Sequence, residues 1–213
     1  MVSVILRCRN EEEYIGFAIQ SVYDFLGYVE IILVDNESTD NSIRIVNSFE
    51  FMNIKKVKLS KNDYTPGRAL NLGLEHCTNN YVLVMSSHCQ ITKLDFDDVK
   101  NNLDSGFVSV WGRQNPIWNG KKISHRYMWA NFKDTPKVNY FSKYEDRYFL
   151  HNGFAFYNKY TLIDSPFDED LSGKEDRYWA NDMIENGTEI YYDPDISVNH
   201  FYTQEGATWK GVG

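Results

Sequence analysis

The chain opens on a regular exchange of two hydrophobic patterns. "VSVIL" is a short apolar run of the kind a strand shows when both its faces are covered. "EEEYIGFAIQSVYDFL" then switches to helical spacing, with Ile15, Ala18, Ile19, Val22 and Phe25 on one face. The exchange repeats. "VEIILV" predicts a second strand, and "DNSIRIVNSF" a second helix capped by Ser38 or Asp40. "IKKVKL" predicts a third strand, "GRALNLGLEHC" a third helix and "YVLVM" a fourth strand. Strands alternating with helices predict an α/β domain with a mostly parallel sheet flanked by helices. In such sheets ligands bind beyond the carboxyl ends of the strands. That singles out Arg7 and Arg9, the stretch Asp35 to Asp40, and the turn Ser86, Ser87, His88, Cys89.

The second half is less regular. "FVSVWGRQ" and "LHNGFAFYNK" predict strands, and "KEDRYWANDMIENG" a helix closed by Gly187. "TEIYYDPD" and "SVNHFY" predict two further short strands. Aromatic residues crowd between Phe107 and Tyr160. There is no internal repeat, low-complexity tract or evident linker.

At 213 residues the chain suits one domain able to bury most of its apolar surface. No apolar run nears the roughly 20 residues of a membrane span. "MVSVILRC" is too short for a secretory signal and soon meets "RNEEE". The net charge of -8 argues against a general nucleic-acid binder, so an anionic ligand needs a local pocket. Three cysteines, Cys8, Cys77 and Cys89, show no CxxC spacing. They point to reduced thiols and a cytoplasmic setting. GxxxxGK[ST] and GxGxxG are both absent, which speaks against a P-loop and a dinucleotide site.

Four blocks, "VSVILRCRNEEEYI", "IILVDNESTDNS", "GRALNLGL" and "YVLVMSSHC", resemble in order the family 2-type nucleotide-sugar glycosyltransferases of the GT-A (Rossmann-like) fold. Two later blocks are similar as well: "HNGFAFYNK" to a glycine-containing acceptor loop, and "LSGKEDRYWANDMIENG" to the "xED" helix. The length and the turn after the fourth strand are also similar to the first domain of multidomain glycosyltransferases from large algal viruses. That likeness would imply host cytoplasm and further domains in a longer chain; the tail "TWKGVG" carries no clear stop signal.

The resemblance implies one GT-A catalytic domain over 1–213, with 1–92 the nucleotide-binding half and 93–213 the acceptor and catalytic half, the latter holding a smaller acceptor-side subregion. It implies an inverting transfer of a hexose from a UDP-sugar, or a dTDP-sugar, to a hydroxyl of a glycan or glycoprotein. The processive QxxRW pattern is absent. Asp35 would accept a hydrogen bond from the base, or else serve a turn. Glu11 would contact the ribose or base, or simply favour a helix start. Arg7 and Arg9 would meet the diphosphate, Arg9 being the better placed though it reads equally as a surface charge, and Ser86 and Ser87 would line its site. Arg68, at a helix start after "TPG", also suits an anion. Asp176 would be the general base, with Glu175 holding an acceptor hydroxyl or orienting Asp176. Both acids also suit a first helical turn for its dipole alone. Asp168, Glu169 and Asp170 read as a solvated loop.

The family places Asp-x-Asp, the holder of a divalent ion, where this chain has Ser86, Ser87 and His88. His200 matches a late metal-ligating histidine. Two imidazoles with diphosphate oxygens would favour Mn2+ over Mg2+. Each histidine reads equally as a structural one, and Cys89 as a small buried hydrophobe. Trp111, Trp118, Trp129 and Trp179 could stack on sugar faces or simply fill the core. Two rivals remain: a degenerate, non-catalytic nucleotide-sugar or carbohydrate-binding module, which the retained "GKED" opposes, and a sugar-nucleotide pyrophosphorylase, whose glycine-rich signature is missing.

Overall fold

The computed structural model describes residues 1–122, 132–143 and 146–202. In chain order the elements are β1 (Val2–Cys8), α1 (Ile15–Leu26), β2 (Glu30–Asp35), α2 (Ser42–Asn47), β3 (Asn53–Lys58), α3 (Pro66–Glu75), β4 (Tyr81–Ser86), β5 (Cys89–Lys93), α4 (Phe96–Asp104) and β6 (Ser109–Trp118). There follow β7 (Lys121–Lys122), β8 (Lys137–Val138), β9 (Phe141–Ser142), β10 (Arg147–Tyr148), β11 (Phe154–Asn158), α5 (Lys159–Asp164), α6 (Glu175–Glu185) and β12 (Ile190–Phe201).

One sheet spans both halves in the order β3-β2-β1-β4-β11-β6-β12-β5, with β7 and β8 paired at its side. β1, β2, β3 and β4 are mutually parallel, as their alternation with helices predicts. β11 enters antiparallel between β4 and β6, and β12 runs parallel to β6. The apolar runs have a simple cause: every residue of β1 except Arg7 is buried, because helices cover both faces. Ile5, Ile32 and Val34 pack with Leu70 and Leu74 of α3 and Trp179 and Met183 of α6. Val4, Leu6 and Leu33 face the other way, onto Ile15, Ile19 and Val22 of α1 and Val99 of α4.

Three expectations change. Phe25, placed on the buried face of α1 by its spacing, is 39% exposed, because α1 is nearing its end at Leu26. The two late strands are one, β12, interrupted by a register shift between Asp193 and Ser197. And α4 exists: Asp95 accepts from the amides of Asp97 and Asp98, a capping signal legible in "LDFDD". Among the described residues no helix is long and apolar enough to cross a membrane.

Candidate active site

β1 lies between β2 and β4, so the chain reverses its direction of progress across the sheet there. A crevice at the carboxyl ends of these strands follows from that topology. Two loops at the rim are tied together. Asn10 Oδ1 accepts from Thr39 N at 2.8 Å, Glu12 Oε2 from Asn41 N at 2.8 Å, and Ser42 Oγ from Glu11 N at 2.7 Å. Asp40 binds the Ser42 amide at 2.9 Å. Burial alone would raise its carboxyl, but the Ser42 and Glu12 donors hold it below the usual range. Asp35 is buried, and both its oxygens face Ser38 N, at 3.2 and 3.4 Å.

Glu175 and Asp176 open α6. They reach the sheet edge because the segment before them is latched to α3. Thr65 Oγ1 donates to Glu169 O at 2.7 Å, Asn71 Nδ2 to Phe167 O at 2.8 Å, and Arg68 Nε to Glu169 Oε2 at 3.1 Å. Gly67 sits so close that a Cβ there would lie 2.2 Å from the Asp168 carbonyl oxygen. Glu169 is therefore part of a built contact rather than a merely solvated loop, and Arg68 is turned toward it.

Glu175 is 5% exposed and takes Arg7 Nη1 at 3.0 Å. Burial works against the Arg7 cation, but Glu175, Tyr64 and Asp176 together more than offset it, so the guanidinium stays charged. Asn152 Nδ2 lies 3.3 Å from Glu175 Oε1, and its backbone N–H 3.3 Å from Asp176 Oδ2. Burial first, and the Glu175 charge second, push the Asp176 carboxyl up to about 6. Such a group is a weak acid near neutral pH and a usable base.

The second cluster lies beyond Gly153, whose carbonyl accepts from Ser86 N at 3.2 Å. His200 pairs with Cys89 across β12 and β5, and Phe201 N donates to His88 O at 2.9 Å. That pairing stacks the His88 and His200 rings, 4.8 Å apart at 15°. His88 Nδ1 meets Glu11 Oε1 at 2.8 Å, and His200 Nδ1 meets Gln114 Oε1. Each ring thus keeps Nε2 for another partner, and His200 Nε2 is buried with no hydrogen bond. Burial holds His200 well below the ordinary histidine range, so its ring is neutral. Oxygen partners behind both imidazoles are what a metal-ligating histidine needs. The donor set fits part of a metal's shell, not all of it. Among the described residues no three His, Cys, Asp or Glu side chains gather as a cage.

Other expected positions fall as follows. Arg9 is exposed and makes no ion pair among the described residues. Ser87 is buried and its hydroxyl donates to Arg7 O at 2.6 Å, while Ser86 is half-buried at the end of β4. Cys8, Cys77 and Cys89 are buried and unpaired, with Cys8 pushed up to about 12 by burial. Trp111 and Trp179 are core residues, which removes them as sugar platforms. Trp118 is half-buried at the end of β6, and Trp129 lies outside the described residues. A cleft of about 500 Å³ between α3 and α5, lined by Leu74, Leu162 and Phe167, is not over the carboxylates. Asn152 and Gln114 were not singled out in the sequence. Asn152 had a signal, its place in "HNGF"; Gln114 had none.

Residues 3–164 match the family model "Glycosyl transferase family 2". The minor teichoic acid biosynthesis protein GgaA of Bacillus subtilis (strain 168) is 27% identical over 204 residues, 86% of this chain and 43% of GgaA. The chain thus spans less than half the length of that relative. The crystal structure of S. aureus TarS 1-349 in complex with UDP-GlcNAc superposes with a TM-score of 0.72 at 22% identity, over 96% of this chain and 59% of that one. GalNAc-T7 with UDP, GalNAc and Mn2+ superposes with a TM-score of 0.72 at 13% identity, over 97% of this chain and 44% of that one. With the family model covering most of its length and its fold superposing on those structures, the chain belongs to glycosyl transferase family 2 and has the GT-A fold.

Proposed function

We propose that this chain is a single catalytic domain that transfers a hexose from a UDP-sugar to a glycan hydroxyl with inversion. The observation that carries this is the pair of a buried Glu175 and a half-buried Asp176 at the carboxyl edge of the sheet opposite Arg7, with Asp176 raised to about 6. The acceptor oxygen attacks the anomeric carbon from the face opposite the leaving group. Its bond forms as the bond to the diphosphate breaks. Asp176 takes the acceptor proton, and the nucleoside diphosphate leaves with the electron pair. Glu175, fixed by Arg7, orients Asp176. A likeness to proteins solved with UDP and UDP-GlcNAc supports a uridine donor. Asp35, buried at the end of β2, is the candidate base-binding acid, and Glu11 sits between that loop and His88.

The leaving diphosphate needs positive charge. Arg9 can supply it directly; Arg68 would first have to leave Glu169. His88 and His200 would hold a divalent ion through their Nε2 atoms, with Ser86 and Ser87 beside it. Bound there, the ion would stabilise charge on the diphosphate. Imidazole ligands favour Mn2+.

The test is a screen of UDP- and dTDP-sugars for binding, hydrolysis and transfer to glycan acceptors. Transfer of one sugar, lost in Asp176→Asn, is expected. Binding with neither transfer nor hydrolysis would instead support a non-catalytic binding module.

A further inference from the structure

Asn152 stands between the two carboxylates, and none of its polar groups faces solvent. The residue is 2% exposed. Its Oδ1 accepts from Tyr157 Oη at 2.6 Å, its Nδ2 reaches Glu175 Oε1 at 3.3 Å, and its backbone N–H reaches Asp176 Oδ2 at 3.3 Å. We propose that Asn152, locked by Tyr157, is the positioning residue that holds Glu175 and Asp176 in their relative geometry for proton transfer. This rests on the reading of Asp176 as the base.

The chemistry fixes the direction of each bond. An ionised carboxylate only accepts, so the Asn152 amide must turn its NH2 toward Glu175. Its carbonyl then faces Tyr157, whose hydroxyl must donate. Burial drives the Tyr157 phenol well above its ordinary range, so that hydroxyl stays protonated wherever an enzyme works. Tyr157 itself cannot swing, being fully buried on β11 and packed edge-on against Trp179 of α6 at 5.3 Å. A rigid strand thus passes its position through one amide to the first turn of the helix that carries both acids. Arg7 holds Glu175 from β1, and Asn152 touches both carboxylates.

Among the described residues, the charged and titratable groups around the pair include Arg7 on β1, Tyr64 before α3, Arg147 on β10, Tyr157 on β11 and Arg177 of α6 itself. Asn152→Asp keeps shape but places a third carboxyl against two others. Like charge disfavours ionisation, so the acid limb of kcat/KM should move up by about one pH unit or more. That shift reports that position 152 lies against the pair, and the positioning role itself is read from Tyr157→Phe. Tyr157→Phe keeps the ring and frees the amide. It should lower kcat and kcat/KM together, about tenfold, with UDP affinity within about twofold by calorimetry.

The Tyr157→Phe effect in a protein with near-native melting supports the proposal, and the Asn152→Asp shift confirms the contact it acts through. If Asn152→Asp fails to fold, Tyr157→Phe decides. Unshifted pH limbs with kcat within about twofold overturn it. Failure of the unaltered protein to transfer any sugar overturns the reading of Asp176 as base, and this proposal with it. Normal transfer by both variants overturns this proposal alone.

Discussion

Arg7 and Glu175 meet at 3.0 Å, although 168 residues separate them. Their side chains are 18% and 6% exposed, so the pair is largely out of water. It ties the end of the first strand to the start of α6. Breaking a buried pair by removing one partner costs about 3–5 kcal/mol, because the other charge is left behind. Arg7→Met should therefore lose stability on that scale in urea unfolding, while Arg7→Met/Glu175→Leu should recover most of it. A single variant that costs under about 1 kcal/mol would show the pair to be solvent-screened.

The Asp176 carboxyl, raised to about 6 by burial and then by Glu175, sets a pH dependence. A base works ionised, so kcat/KM should rise with pH and reach half its plateau near 6. Stability runs the other way. A carboxyl with a raised folded value contributes most when protonated, and that contribution fades as pH climbs from about 4 through 6. Asp176→Asn should thus cut transfer about a hundredfold or more, yet melt no lower than the native protein at pH 7. A clear drop in melting temperature at pH 7 would contradict the direction of the shift.

Gly67 lies in the first turn of α3, where alanine would ordinarily favour the helix by about 1 kcal/mol. The Asp168 carbonyl oxygen would stand 2.2 Å from the new Cβ, so backbone must move. Gly67→Ala should therefore destabilise, by about 1–3 kcal/mol, and weaken transfer by loosening the latch before α6. Thermal melts give the sign at once, and a stabilised variant would mean that the contact is slack.

Asp35 has a turn to hold as well as a base to bind, since its oxygens face Ser38 N. Asp35→Ala should weaken UDP binding by about 1–3 kcal/mol, five- to hundred-fold. Calorimetry on a variant shown to be folded separates the two roles. Unchanged affinity would leave Asp35 with the turn only.

For the histidine pair, transfer should fall with EDTA, return with Mn2+ better than with Mg2+, and be weak in His88→Ala. With no carboxylate at Ser86 or Ser87, the ion and the donor diphosphate should bind together rather than singly. Transfer indifferent to EDTA would leave the diphosphate to Arg9 and the rim amides.

The sequence by itself determined the parallel half of the sheet. Its signal is local: runs such as "IILV" are apolar because both faces are covered, and 3.6-residue spacing marks α1 and α3. It also determined that Glu175 and Asp176 open a helix, that His88 lies in the turn after the fourth strand and that His200 lies in a late strand. Contacts were beyond it. Nothing in local spacing says that Arg7 reaches Glu175, that Arg68 faces Glu169, or that Gln114 backs His200. Those follow from β11 entering antiparallel beside β4 and from β12 pairing with both β6 and β5. Phe25 and Trp111 make the same point from opposite sides: one is half out of the core and the other fully inside it. Side-chain type and period report which face of an element is buried. Which distant element covers that face, and so which polar group meets which, is decided only when the sheet closes.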